Sequence, residues 1–155
     1  MLQVYFIRHG QSTNNQFWGE TDRNAYLLAR KMDADLTPAG IEQAKYAAEY
    51  IARPYKPDVF NPQNQYGFGL THLYCSLMIR SIKTGTPIAE KTGLPLVAWP
   101  EVHETGGLFD VEIEEGEPVF LGRPGRGRSF FESKFPELVL PEDLPEDGWW
   151  NRDVE

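Results

Sequence analysis

Gln3-Val4-Tyr5-Phe6-Ile7-Arg8-His9-Gly10-Gln11-Ser12 passes from a short β-branched and aromatic run directly into a polar, glycine-containing segment. That pattern predicts a buried strand ending in a loop. In open α/β sheets ligands gather beyond the carboxyl ends of strands, where loops and helix N-termini present backbone donors. Chemistry is therefore expected just after Ile7.

The rest of the fold is read outward from this strand. Thr37 suits a helix N-cap and Pro38 its first turn, apolar positions continue through Ala48 and Ile51, and the helix should end near Arg53-Pro54. Residues 55–69, with Pro57, Pro62, two Asn and two Gly, read as an exposed loop. Thr71 to Ser76 predicts a second strand, Ile79 to Thr92 a helix that Gly93 can terminate, and Leu94 to Trp99 a third strand. The alternation of strands and helices favours an α/β fold, a mostly parallel sheet flanked by helices in three layers. After Glu104 the periodicity fades. Residues 110–117 are acidic, 123–128 basic and glycine-rich, and 136–148 punctuated by Pro, Asp and Glu, so this part reads mostly as loop.

With 155 residues the chain is long enough for one domain with a buried core, and nothing in its composition divides it further. No apolar run approaches the roughly 20 residues that span a bilayer. The start lacks a basic n-region and a small-residue cleavage site, so a cytoplasmic location without membrane attachment is expected. Cys75, the single cysteine, excludes an internal disulfide and a thiolate cluster, and its apolar neighbours predict a buried thiol. A formal net charge of -8 argues against nucleic acid as a partner. It does not argue against a small phosphorylated ligand, which needs only a few converging cations.

Read for chemistry, Gly10 allows backbone to approach a ligand closely, while Ser12 and Asn15 can donate hydrogen bonds to phosphate oxygens, with Asn14 as the adjacent competitor. Arg80 lies at the start of a predicted helix, beyond a strand end on the same side of the sheet as His9. Glu104 and Glu101 both follow the third strand. His72 falls at the far end of its strand, and His103 would face away from Glu104 in extended backbone. Arg123, Arg126 and Arg128 form a solvated loop or a lid over an anionic substrate.

Arg8-His9-Gly10-Gln11-Ser12 resembles the signature of the histidine phosphatase superfamily, also called the phosphoglycerate mutase-like family, which is Arg-His-Gly-Glu-Ser or a close variant. The likeness continues in the family's order through Leu36-Thr37-Pro38-Ala39-Gly40 with Gln43-Ala44, then Tyr74 to Thr84, then Pro100-Glu101-Val102-His103-Glu104. It implies that His9 is a nucleophile forming a phosphohistidine, that Arg8, Arg80 and Asn15 hold the phosphoryl group, and that Glu104 donates the proton; Ser12 remains a phosphate-binding candidate from its own hydroxyl. The chemistry agrees with these roles. Guanidinium forks match equatorial phosphoryl oxygens, and two arginines disfavour protonation of a nearby imidazole. No metal or other cofactor is needed, because arginines and imidazole can balance the phosphate charge.

The family pattern also has a second catalytic histidine, on a later strand and followed by glycine, and no residue here matches it. The expectation is an N-terminal part of a longer protein: one domain over residues 1–155, its C-terminal part missing, with an apolar face exposed near the first strand. Losing one preorganised donor can cost on the order of a hundredfold in rate, so catalysis at a normal rate would belong to the longer protein. A phosphomonoester phosphatase is the favoured activity. The glycolytic mutases follow the catalytic glutamate with Arg-His-Tyr-Gly, whereas Thr105-Gly106-Gly107 stands here. A mutase-type phosphotransferase and a non-catalytic phosphate-binding module are the alternatives. The sequence leaves the substrate and the oligomeric state open.

Overall fold

Helix α3 (Pro38–Ile51) begins where its local chemistry dictates. The Thr37 hydroxyl accepts from the Gly40 N–H at 3.0 Å, and Pro38 sits in the first turn, where its missing N–H removes no helix bond. Its buried stripe of Gly40, Ala44, Ala48 and Ile51 lies against α4 (Ile79–Thr92), which buries Ile82, Thr84, Gly85 and Ile88. Small residues along the α3 stripe let the two helices pack closely. Helix α4 stops at Gly93, whose φ of 70° is the left-handed conformation that glycine adopts without steric cost.

These helices belong to a computed structural model that describes residues 2–18 and 22–150. Two short helices, α1 (Thr13–Phe17) and α2 (Arg23–Ala29), precede α3. Strand β1 (Leu73–Cys75) is joined through α4 to β2 (Leu96–Ala98), and the two are parallel with Leu73 opposite Leu96. Val139 bridges the other edge of β2: Ala98 N–H donates to its carbonyl and its own N–H donates to Leu96, both at 2.9 Å. Under this sheet lies the main core, where Leu77, Ile82, Leu108 and Phe131 are fully buried. Burial pushes the Cys75 thiol up to about 12, so it is an inert core group, as its neighbours predicted. Among the described residues no helix is long and apolar enough to cross a membrane.

Three expectations are corrected. Residues 3–7 form no strand: Leu2 is 88% and Phe6 89% exposed. A strand is held by a ladder of backbone bonds, and its sequence alone cannot supply the neighbour. What anchors the segment is Tyr5, edge-on to Phe68 with ring centroids 5.0 Å apart and bonded through its hydroxyl to Asn64 at 3.4 Å. Leu2, Val4, Phe6 and Ile7 expose apolar surface along it. A three-layer arrangement is not formed among the described residues, where the sheet face carrying Tyr74 and Trp99 remains half exposed and no second helical layer closes it. The supposed loop after Glu104 instead contains an antiparallel hairpin, β3 (Phe109–Glu114) and β4 (Glu117–Gly122), followed by α5 (Arg128–Lys134). Glu115 and Gly116 turn the hairpin with φ of 52° and 90°, the positive values a two-residue connection requires. Residues 151–155, read from the sequence as an irregular ending, lie outside the described residues.

One close approach ties the His9 segment to this framework. A Cβ on Gly40 would lie 2.1 Å from the Gln11 carbonyl oxygen, and one on Gly10 would lie 2.3 Å from that of Gly40. Gly10 is thus required by a neighbouring backbone, which refines the reading that reserved its space for a ligand. Gly40→Ala should destabilise the protein by about 3 kcal/mol, the upper part of the overpacking range, because backbone rather than a flexible side chain must yield. Urea unfolding would show a lower midpoint at unchanged m-value, and an unaltered midpoint would contradict the contact.

Candidate active site

The segment that carries His9 is held from both sides. Thr37 N–H donates to the Gln11 carbonyl at 2.9 Å, the Gln11 N–H donates to Gln43 Oε1 at 2.8 Å, and Thr13 N–H donates to the Asp35 carbonyl at 2.9 Å. On the other side Gly10 N–H donates to Thr84 Oγ1 at 3.1 Å, and that hydroxyl donates to the Arg80 carbonyl at 2.7 Å. The histidine segment and the start of α4 therefore share one threonine.

His9 Nδ1 lies 2.7 Å from the Gly10 carbonyl, a contact that fits Nδ1–H as donor and leaves the Nε2 lone pair available. Burial lowers the pKa of this imidazole below 6.5; the Gly10 contact opposes the shift, Arg80 and Arg8 reinforce it, and Glu104 opposes it. The shift favours the neutral imidazole, the form a nucleophile needs. Arg80 follows the end of β1, with its side chain only 8% exposed, and Glu104 follows the end of β2 with 65% exposed; they meet at 2.5 Å between Nη2 and Oε2. A guanidinium that deep is normally paired, and here the partner is an outward carboxylate that an incoming anion can replace.

The remaining residues sort by their partners. Ser12, 2% exposed, caps α1: Ser12 Oγ accepts the Asn15 N–H at 3.3 Å and Asn15 Oδ1 the Ser12 N–H at 3.0 Å, a capping box, and the Ser12 hydroxyl also donates to Asn15 Oδ1 at 2.9 Å. Any effect of Ser12 on an anion would pass through Asn15. Asn14 binds the backbone of Lys31 with both ends of its amide, at 2.8 and 2.9 Å, so Asn15 is the freer of the two. Arg8 is exposed and close enough to His9 for its charge to be felt. Glu101 lines an open groove of about 490 Å³ with Tyr74, Trp99 and Asp143, which includes neither His9 nor Arg80. His72 stacks on Tyr74, and His103 packs edge-on to Trp150 at 4.2 Å. In the basic loop Arg123 pairs with Asp110 at 2.8 Å, Arg126 lies over the Phe130 ring, and Arg128 ties down the carbonyls of Pro141, Glu142 and Leu144. Arg128 is thus a structural clasp. Arg30 donates to the Phe109 carbonyl at 2.7 Å and stacks on that ring, fixing α2 against β3. Thr84 is the residue the sequence reading missed; its signal was its place four residues after Arg80, on the same helix face.

Residues 4–118 match the model of the histidine phosphatase superfamily, branch 1, and the chain belongs to that family. It is 32% identical over 119 residues to proteins named probable phosphoglycerate mutase GpmB from Yersinia pestis and Yersinia pseudotuberculosis. That alignment covers 77% of this chain and 43% of each relative, so the chain spans less than half the length of the curated relatives it matches. A solved structure named mycobacterial hydrolase 1 aligns over 83% of this chain and 44% of its own, with 16% identity and a TM-score of 0.41.

Because Glu104 occupies Arg80, an anion at that guanidinium must displace a carboxylate. Glu104→Gln should therefore bind inorganic phosphate about threefold more tightly at low salt, in keeping with the modest worth of a half-exposed ion pair. Calorimetric titration measures this directly, and weaker binding in the variant would show that Glu104 helps to hold the anion.

Proposed function

We propose that this protein is a phosphomonoester phosphatase acting through a phosphohistidine at His9. The observation that carries the reading is an imidazole whose Nδ1 is engaged by the Gly10 carbonyl and whose pKa burial lowers, in the field of a buried arginine that touches an outward carboxylate. His9 Nε2 attacks phosphorus in line, the phosphorus–oxygen ester bond breaks, and Glu104, which takes up a proton from solvent once the substrate phosphate has displaced it from Arg80, gives that proton to the departing alkoxide. Arg8, Arg80 and Asn15 hold the equatorial oxygens, with Ser12 behind Asn15. Glu104, now a carboxylate, takes a proton from water as that water attacks the phosphohistidine, releasing inorganic phosphate and restoring His9. The ligand is a small phosphorylated molecule.

A second reading is favoured by the names of the relatives: in a mutase the phosphohistidine passes its phosphoryl group to a hydroxyl of a second substrate instead of water. The two share every step up to the phosphoenzyme. Decay of the isolated phosphoenzyme in buffer, with and without added phosphoglycerate, separates them.

In the full-length protein, His9→Ala should abolish an acid-labile, base-stable phosphoenzyme, and Glu104→Gln should slow turnover without weakening phosphate binding. Survival of the label in the His9 variant would exclude the mechanism. Since the His9 pKa lies below 6.5, phosphoenzyme formation should persist at pH values where an ordinary imidazole is mostly protonated, and fall only in more acid solution. The same shift makes the unfolded chain bind the proton first, so the contribution of His9 to stability declines as pH falls from 6.5 through its folded pKa. A rate that halves at pH 6.5 or above would contradict the depressed value.

A further inference from the structure

Helix α4 begins without a cap of its own. Met78 stands at the N-cap position and offers no side-chain oxygen, yet the next residue but one is Arg80. The acceptor comes from elsewhere in the chain: Asp33 Oδ1 takes the Ile79 N–H at 3.0 Å, across 46 residues. Two residues on, Asp35 Oδ2 pairs with Lys83 Nζ at 2.6 Å, one turn further along α4. Two carboxylates of one short loop thus bracket Arg80 along the helix. That loop also receives the Thr13 N–H and bridges Ser12 through Leu36, so it touches the histidine segment as well.

Asp33 has no competing task. Its second oxygen, Oδ2, is buried without a hydrogen-bond partner among the described residues, and burial raises the carboxyl's pKa against the pull of the Ile79 N–H and of Arg80 and Arg126. Burying a carboxyl with one oxygen unsatisfied weakens folding. Alanine would avoid that cost and leave the first turn of α4 uncapped, whereas asparagine would keep the acceptor and remove the charge.

We propose that Asp33 is a positioning residue for Arg80, fixing the first turn of α4 so that the guanidinium meets an anion beside His9 in one geometry. This rests on the phosphate-site reading given above. Asp33 acts mainly through the Ile79 amide, so the acceptor oxygen matters more than the formal charge that Arg80 also feels.

The test uses the full-length protein with inorganic phosphate as probe, in two arms. In the first, amide hydrogen exchange is followed at Ile79 and the Arg80 Nε–H signal is recorded by NMR. Asp33→Ala should lose Ile79 protection and broaden the Arg80 signal, while Asp33→Asn should keep both. In the second, phosphate affinity should fall about tenfold in Asp33→Ala and stay within about threefold in Asp33→Asn, the span expected for one bond to a charged group. Asp33→Ser, too short to reach Ile79, should behave as the alanine variant and stands in if that variant does not fold. In an Arg80→Lys background the tenfold effect should shrink to less than about twofold, and in an Arg8→Lys background it should persist, because only coupled residues fail to add.

Unchanged Ile79 exchange in Asp33→Ala, or an equal loss of phosphate affinity with and without Arg80, would overturn the proposal. If the native protein binds no phosphate at all while Ile79 and Arg80 still depend on the Asp33 acceptor, the positioning role stands and the phosphatase reading falls.

Discussion

Everything at the site depends on the hydrogen-bonded path from the Gly10 N–H to the Thr84 hydroxyl to the Arg80 carbonyl. A threonine inside a helix often turns its hydroxyl back to the carbonyl four residues earlier, which gives the helix little. Here the same oxygen has a second duty as acceptor for a buried amide. His9 immediately precedes one end of that path and Arg80 forms the other, so their relative placement is set by bonds of 3.1 and 2.7 Å. The mutual approach of Gly10 and Gly40 reinforces it, since neither residue can carry a side chain where the two backbones meet.

The same economy explains how a site rich in arginine coexists with an acidic chain. Glu104 sits on Arg80, Asp110 on Arg123 and Asp35 on Lys83, while Arg30 is spent on a carbonyl and a ring. Of these only the Glu104 contact joins a nearly buried cation to a largely exposed anion. Exchange of that carboxylate for a phosphoryl group costs little desolvation, and it frees Glu104 to take up a proton from solvent and pass it to the ester oxygen as the bond breaks.

Elements with local signals were legible in the sequence. Thr37 and Pro38 start α3, Gly93 ends α4, and the parallel pairing of β1 with β2 follows from the helix between them. Elements that need a distant partner were not. Residues 3–7 have the composition of a strand and no neighbour to pair with among the described residues, and the exposed Tyr74 and Trp99 belong to a face that helix periodicity alone could not show to be uncovered. The β3–β4 hairpin was hidden by its acidic residues, although Glu115-Gly116 between alternating apolar positions was a usable turn signal. Within the site, Arg80 and Glu104 could be named from motif order. The spacing of Thr84 from Arg80 was visible, but its bond to Gly10 and the role of Asp33 were not, because a threonine or aspartate declares its partner only when the chain has folded around it.

The central claim is that Thr84 holds the histidine segment and the arginine helix in register, and the comparison of Thr84→Val with Thr84→Ser tests it most directly. Valine keeps the shape but leaves the Gly10 N–H buried and unpaired, a defect of about 1–3 kcal/mol, while serine keeps the hydroxyl. Measured by phosphate titration of the full-length protein, the valine variant should bind about tenfold more weakly and the serine variant within about twofold of the parent, on the same bond energies. Equal affinity in all three would contradict the account.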